Sequence, residues 1–565
     1  MKFNKIITAL AFSLTLGSCN FLDTVPQDFV APENFFKNQD EAFMSLTTVY
    51  NRLTRQEVYG NVYPLMVVGT DDLGYYDRNT IPVGIYNNNF STSDPDVLNL
   101  WKYLYDGINN ANFLLENIDN VPEMNADVKT LYVGEAKFLR AYCYFLLAQC
   151  WGDVPYRTAS QQSAVDVDLA KTPQKEVLEN VVAEMEEAEK MVGEIDEVPT
   201  GRINKSAVRG ILARVYLKLA GWPINGGKPM YEKAAYWAKE VNKDKKHQLN
   251  PDYKQIFINL ASDEVDTKYR ESIWEAEFKG NRQDAHQGSG RIGNTIGIAN
   301  GDNSLSSEGY SYGFISCTIN LWDMYNDVNG DGAVDEGFEQ GSVNEREHPD
   351  VRRDWNIAPY RFAQNTNTKE YIKLAWGYKG MPNIDVNGVD KGLHAATQYV
   401  QRNAGKYRRE YEVITPRDKN QTPINYPILR YADVLLMIAE AENEVNQGPT
   451  QAAYDAINEV RKRSIKGVKE ITNMDYATFK QLVKDERARE LCFEGTRKYD
   501  LIRWGDDYQH NMRAVAANTN DSRWDNGKKF AASYANNATD RYKWLPIPNR
   551  ELGLNKLLEQ NNAWK

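Results

Sequence analysis

At 565 residues, with 42% hydrophobic and 26% charged side chains, the chain has the composition of a folded protein able to bury a large core. Its formal net charge of -11 argues against nucleic acid or an anionic membrane surface as the main partner. Aromatic residues reach 12%, including 34 tyrosines and 12 tryptophans, a larger supply than a helical core usually needs, so rings are left for binding surfaces in loops.

The chain opens with an address. Lys2 and Lys5 precede an apolar run from Ile6 to Leu16, too short to span a bilayer core of about 30 Å as a helix. Leu16-Gly17-Ser18-Cys19 then reads as a lipoprotein cleavage site: residues 1–18 are expected to be removed and Cys19 to carry the lipid. More than one acyl chain gives firm anchoring where a single chain is marginal. Residues 19–38 read as the lipidated tether, and the helical pattern begins at about residue 39.

From Tyr59 to Pro95 glycine, asparagine, aspartate and proline are interleaved with Tyr75, Tyr76 and Tyr86, which predicts surface loops. Helices are predicted over 97–118, 126–151, 172–192, 204–220 and 231–242, with the short connections of antiparallel helix pairs. Small alanines between aromatics in YEKAAYWAKEVNK (231–243) resemble a tetratricopeptide helix. Between about 251 and 425 the texture changes to glycine, asparagine and aromatic loop, with one predicted strand in SIWEAEF (272–278). So long an irregular stretch fits a functional insertion packed on a scaffold.

The stretch 426–505 returns to helices. Ile428, Tyr431, Ala432, Leu435, Ile438 and Ala439 keep one helical face, and Pro427 suits a first turn. In the last of these helices the stripe Phe479, Leu482, Val483 continues at the same spacing into Glu486, Glu490 and Phe493. Two carboxylates therefore point where the core points. Ionised and buried, they require cations, with Arg430, Arg487, Arg497 and Arg503 as candidates for a structural ion-pair knot. The competing reading is a general acid and base pair with split pKa values.

These residues carry a resemblance. ERARELCFEGTRKYDLIRW (486–504), YPILRYADVLLMIAEAENEVNQG (426–448), YKWLPIPNREL (542–552) and AKFLRAYCYFLLAQCWGDVP (136–155) together resemble the SusD/RagB family of bacterial surface lipoproteins. The FLD, Pro26 and Phe35-Phe36 order after Cys19 resembles the mature start of the same family. The resemblance implies a mainly α fold, a tetratricopeptide-like helical-pair scaffold (about 39–250 and 426–505) with a loop-rich, ligand-facing insertion containing short strands and a closing segment at 506–565. It further implies an outer-membrane protein facing the cell exterior that binds oligosaccharide and partners a SusC-type TonB-dependent transporter. A RagB-like peptide binder, a surface glycosidase and a helical assembly scaffold are the alternatives.

Other motifs are weighed on their chemistry. Asp327, Asn329, Asp331 and Asp335, with Gly332 between them, match the first ligand positions of a calcium loop, but Phe338 stands where the closing glutamate belongs. A structural Ca²⁺ ion and a solvated turn both remain open there; no cofactor is required. Gly288, Gly290 and Gly293 spell a dinucleotide fingerprint without the flanking strand and helix. The five histidines are scattered, and Cys143, Cys150, Cys317 and Cys492 show no metal spacing. Catalytic motifs are not found, so the chain is not expected to be an enzyme. Sugars present apolar C–H faces beside hydroxyls, and a site for them combines flat rings with planar polar groups. Asp71, Asp72, Tyr75, Tyr76 and Arg78 offer one such mixture; Tyr310 and Tyr312 offer another. Both resemble the glycan-binding loops of the family by position.

Overall fold

The computed structural model describes residues 35–78, 83–161, 167–284, 286, 288–304, 307–327, 348–375, 389, 402–519 and 529–565. Helices dominate: α1 (Gln39–Leu53), α2 (Val62–Gly69), α3 (Pro95–Asn117), α4 (Ala126–Trp151), α5 (Gln174–Met191), α6 (Lys205–Ala220) and α7 (Lys228–Val241) form the first half. Their starts follow local chemistry. Asn38, Asp94, Asn125 and Asn204 each accept a backbone N–H of the first turn, and Pro95 occupies a position where no N–H is needed. Each helix packs on the next in space: α1 on α3, α3 on α4, α4 on α5, α5 on α6 and α6 on α7. The central one, α4, is buried on every side from Phe138 to Trp151, as a helix apolar all round must be.

After α7 the chain makes α8 (Tyr253–Ser262), α9 (Ile319–Asn326) and several short strands. It then returns with α10 (Tyr431–Asn446), α11 (Gln451–Ser464), α12 (Tyr476–Leu491), α13 (Arg497–Arg503) and α14 (Asp507–Asn518). Helix α10 packs against α7, although the two are far apart in sequence, so the helical layer continues across the intervening loops. One hydrophobic core runs through both halves, from Phe36 to Leu558. The closing segment is pinned to the end of α4: Leu545 N–H donates to the Cys150 carbonyl (2.7 Å) and Trp151 Nε1 to that of Pro546 (2.8 Å).

Two expectations need correction. Residues 426–430 are not the first turn of a helix but a strand, paired antiparallel with Ser272–Ala276; α10 begins only at Tyr431. Pro427 lies where the register slips, and there a missing N–H breaks no regular ladder bond. Gly210 of α6 faces this strand, where an added Cβ would meet the tip of the Leu429 side chain at 2.3 Å and displace it. The second concerns 59–95. It is not all surface loop: Tyr63 to Gly69 are buried within α2, a helix too short and too uniformly apolar to show a period.

The carboxylates of α12 sit in a dense ion-pair cluster. Glu486 and Glu490 are both fully buried. Arg352 bonds Glu486 (2.6 Å), Glu490 (3.0 Å) and both oxygens of Asp350. Arg430 reaches Glu490 (3.1 Å), Glu271 (2.8 Å) and Glu494 (2.7 Å), while Arg463 bonds Glu490 at 2.6 Å and Arg489 bonds Glu486 at 2.9 Å. Of the four cations expected, only Arg430 joins this cluster. Arg497 bonds Asp72 with both oxygens at 2.8 Å, and Arg487 and Arg503 share Asp500, with Asp433 and Glu440 as their other partners. They form separate knots because Arg487, next to Glu486 in sequence, leaves α12 on a different side, and Arg497 and Arg503 belong to α13. Burial alone would raise the glutamate pKa values. The surrounding arginines outweigh it, Arg352 first for Glu486, which is held at about 2, and Arg463 first for Glu490, which is held lower still.

A depressed carboxylate stabilises the fold above the ordinary carboxylate range and loses that contribution as pH falls towards the folded value. Urea denaturation is therefore expected to show stability dropping steeply below about pH 4. Glu490→Gln, which removes the one carboxylate shared by Arg352, Arg430 and Arg463, is expected to cost about 3–5 kcal/mol at neutral pH. An unchanged urea midpoint in that variant contradicts the clustered geometry.

Candidate ligand-binding site

Two segments distant in sequence build one row of rings. Gly74–Tyr76 pairs antiparallel with Ile315–Cys317, placing Tyr75 opposite Ser316 and Tyr76 opposite Ile315. Side chains alternate across a strand, so Tyr75 and Tyr76 face opposite ways. Tyr75 enters the core with no exposure, whereas Tyr76 turns towards the outer face and is 8% exposed. The approach to the partner strand alternates too. Ser311 Oγ turns inward and donates to the carbonyls of Gly293 and Asn294 (3.0 Å each), leaving Tyr310, Tyr312 and Phe314 on the other side.

The rings touch in sequence along this face. Tyr86 stacks on Tyr76 with centroids 4.4 Å apart, Tyr76 meets Phe314 at 5.0 Å, Phe314 stacks on Tyr312 at 5.1 Å, and Tyr312 meets Tyr310 edge-on at 5.1 Å. Tyr76 is the buried rung; Tyr86, Phe314, Tyr312 and Tyr310 are half-buried. Two exposed cations lie over the row: the Arg78 guanidinium is 4.6 Å from the Phe314 centroid and the Lys419 ammonium 4.9 Å from that of Tyr310. The backbone beneath is fixed. Phe314 N–H donates to Thr295 (2.7 Å), Tyr312 N–H to Asn294 (2.8 Å), and Asp77 N–H to Phe314 (2.6 Å).

Burial pushes the Tyr76 phenol up to about 12, Tyr86 adding to the shift and Arg78 and Arg291 opposing it. Burial likewise raises Tyr86, helped by Asp96 and Asp94, and Tyr310, helped by Tyr312. All three therefore keep their protons at neutral pH, so each hydroxyl can donate as well as accept. Flat faces, neutral hydroxyls and a planar guanidinium are what a sugar ring needs.

Of the residues expected at this surface, Tyr76, Arg78, Tyr310 and Tyr312 are brought together. Asp71, Asp72 and Tyr75 are not. Asp71 closes a turn by accepting the N–H groups of Leu73 (2.8 Å) and Gly74 (3.0 Å), and Asp72 is bound to Arg497; both are buried in the core. The expectation had missed Phe314, Tyr86, Arg291 and Lys419 as members of the site. Phe314 was findable, since it continues the every-other-residue spacing of Tyr310 and Tyr312; Lys419 carries no such signal. Asp327 follows α9, and its carbonyl accepts Arg489 Nη1 at 3.1 Å, whereas Cys19, Asn329, Asp331 and Asp335 lie outside the described residues.

Comparison with known proteins adds the following. A model of the SusD family matches residues 270–564, and one described as starch-binding, associating with the outer membrane, matches 33–217. The full length of the chain aligns at 26% identity with 99% of a SusD-like protein of Formosa agariphila. It is also 26% identical to the starch-binding protein SusD of Bacteroides thetaiotaomicron, over 82% of this chain and 78% of that one. The crystal structure of a SusD homolog from Bacteroides thetaiotaomicron superposes with a TM-score of 0.81 at 26% identity, covering 94% of this chain and 98% of that chain.

The buried turn yields a pH prediction. Burial, with Asp72 adding to it, raises the Asp71 carboxyl to about 8. Folding thus favours the protonated form, and stability is expected to fall as pH rises from the ordinary carboxylate range to about 8. Asp71→Asn keeps an acceptor for Leu73 and Gly74 without the titration. Its urea midpoint, measured against the parent from pH 5 to 8, is expected to gain progressively; a constant difference contradicts the buried protonated carboxyl.

Proposed function

The chain belongs to the SusD family, and from that premise we propose that it is a cell-surface glycan-binding protein that captures an oligosaccharide on the row Tyr86, Tyr76, Phe314, Tyr312 and Tyr310. The observation that carries this reading is the row itself: five rings in contact, four of them half-buried at the surface, with Arg78 lying over the middle. Rings held by packing and by strand hydrogen bonds lose little freedom when a sugar stacks on them. Hydroxyls of the sugar then find Arg78, the tyrosine phenols and the carboxylates of Asp94 and Asp96 near Tyr86. Capture requires no covalent step.

The same reading places Cys19 as the lipid attachment point, the protein on the outer face of the outer membrane, and a SusC-type TonB-dependent transporter as the partner receiving the glycan. Support comes from the Leu16-Gly17-Ser18-Cys19 site and from the outer-membrane association in the description of the model matching 33–217. Mass spectrometry of the membrane fraction is expected to find an acylated chain beginning at Cys19, and Cys19→Ala is expected to release the protein from that fraction.

Binding is tested by affinity gels and calorimetry against glycan and peptide panels. Tyr312→Ala and Phe314→Ala are each expected to weaken glycan binding about tenfold, roughly the worth of one ring contact, in protein whose circular dichroism and cooperative urea transition show it folded. Undiminished affinity in both variants removes the row as the site. Binding of peptides and of no glycan removes the glycan reading.

A further inference from the structure

The cations of the row are matched differently from those of the interior. Many interior arginines of the fold sit on carboxylates, as Arg352, Arg430, Arg463, Arg487, Arg497 and Arg503 do, while Arg408 is held by the carbonyls of Gly405, Asp354 and Trp355. Among the described residues, Arg78 and Lys419 form ring contacts but no ion pair. Arg291 is in the same position: its Nη2 donates to Asn294 Oδ1 (3.2 Å), its Nε is buried with no hydrogen-bond partner, and it has no carboxylate. These three cations gather at one face of a chain whose net charge is -11.

The charge is also unevenly spread along the row. Arg78 lies over Phe314, the middle of the five rings. Lys419 lies at the Tyr310 end. Asp94 and Asp96 are the acids near the Tyr86 end, Asp94 being committed to capping α3 through the N–H groups of Asp96 (2.9 Å) and Val97 (3.2 Å), while Asp418 beside Lys419 is committed to the N–H groups of Asn420 and Gln421 (2.8 Å each). One end of the row thus accepts hydroxyls, and the stretch from Phe314 to Tyr310 offers uncompensated N–H donors.

We infer that the glycan held on this row is acidic, with a carboxylate or sulfate group seated between Arg78 and Lys419 over Phe314, Tyr312 and Tyr310. A guanidinium half covered by a ring is poorly hydrated and binds a planar carboxylate or a sulfate through paired charge-assisted hydrogen bonds. A neutral sugar would stack on the same rings and leave both cations without a counter-charge. The inference rests on the glycan-binding reading and narrows it to a chemical class.

Matched pairs of ligands separate the two. Calorimetry compares oligogalacturonate with its methyl ester and a sulfated galactan oligomer with its desulfated form, each at low and high NaCl. The acidic member of at least one pair is expected to bind tenfold or more tighter at low salt, and the margin is expected to shrink as salt screens the contact. The pair that shows the margin distinguishes carboxylate from sulfate. Arg78→Gln and Lys419→Gln, both at exposed positions, are expected to bring the acidic-to-neutral ratio towards one. Equal or better binding of the neutral members overturns the acidic class while leaving glycan capture standing. Binding of no member, with peptides bound instead, overturns both.

Discussion

The structure depends on satisfying two carboxylates in a place where water cannot reach them. Glu486 and Glu490 point into the core from α12, and each would cost several kcal/mol if left ionised and unpaired there. Their partners come from far along the chain: Arg352 from the loop-rich stretch, Arg430 from the strand before α10, and Arg461 and Arg463 from α11. Lys406 adds a bond to the Glu490 carbonyl (2.9 Å) and another to Glu494. Since an unmatched buried charge is far more costly than a well-packed apolar pair, these segments can meet in few arrangements other than this one. The cluster specifies assembly more than it adds net stability.

That constraint reaches the ring row through neighbouring knots. Just beyond α12, Arg497 donates to both carboxylate oxygens of Asp72, which lies two residues before the strand that carries Tyr76. Thr318, just after the partner strand, donates its hydroxyl to the Asp72 carbonyl (2.7 Å) and its N–H to that of Leu73 (3.0 Å). A ladder of three residue pairs has little stability of its own. Here its Gly74–Cys317 end is closed by Thr318 and tied through Asp72 to Arg497 of α13, so the scaffold as well as the loops positions the rings.

The helical layer was legible because its signals are local. The period and caps of α4 give its limits, Ala126 and Trp151, to the residue, and Glu486 and Glu490 betray their burial by falling on an apolar stripe. What failed were readings that needed partners. Tyr426–Arg430 looks helical from its spacing, and only Ser272–Ala276, about 150 residues away, makes it a strand. Asp71, Asp72 and Tyr75 have the composition of an exposed turn, and only Arg497 and the strand alternation put them inside. Arg352, the cation that contacts both glutamates, sits in a stretch with no periodic signal at all. Residue type gave the chemistry of the site, but which face each residue took depended on a strand pairing the sequence does not announce.

Binding and catalysis place opposite demands on carboxylates, and Glu486 and Glu490 do not meet the second. A general acid must hold its proton near neutral pH and reach the substrate; Glu486 and Glu490 are held ionised by several arginines and are sealed from any surface. The proposed binding surface instead presents rings, phenols that keep their protons and two cations, groups suited to holding a ligand without changing it. Affinity assembled from several modest contacts is graded: removing one ring weakens the hold without abolishing it, and a longer ligand gains by covering more of the row. On the proposed function, in which the chain retains a polymer fragment and then surrenders it to a transporter, that gradation serves release, because shortening or shifting the ligand by one unit loosens it stepwise.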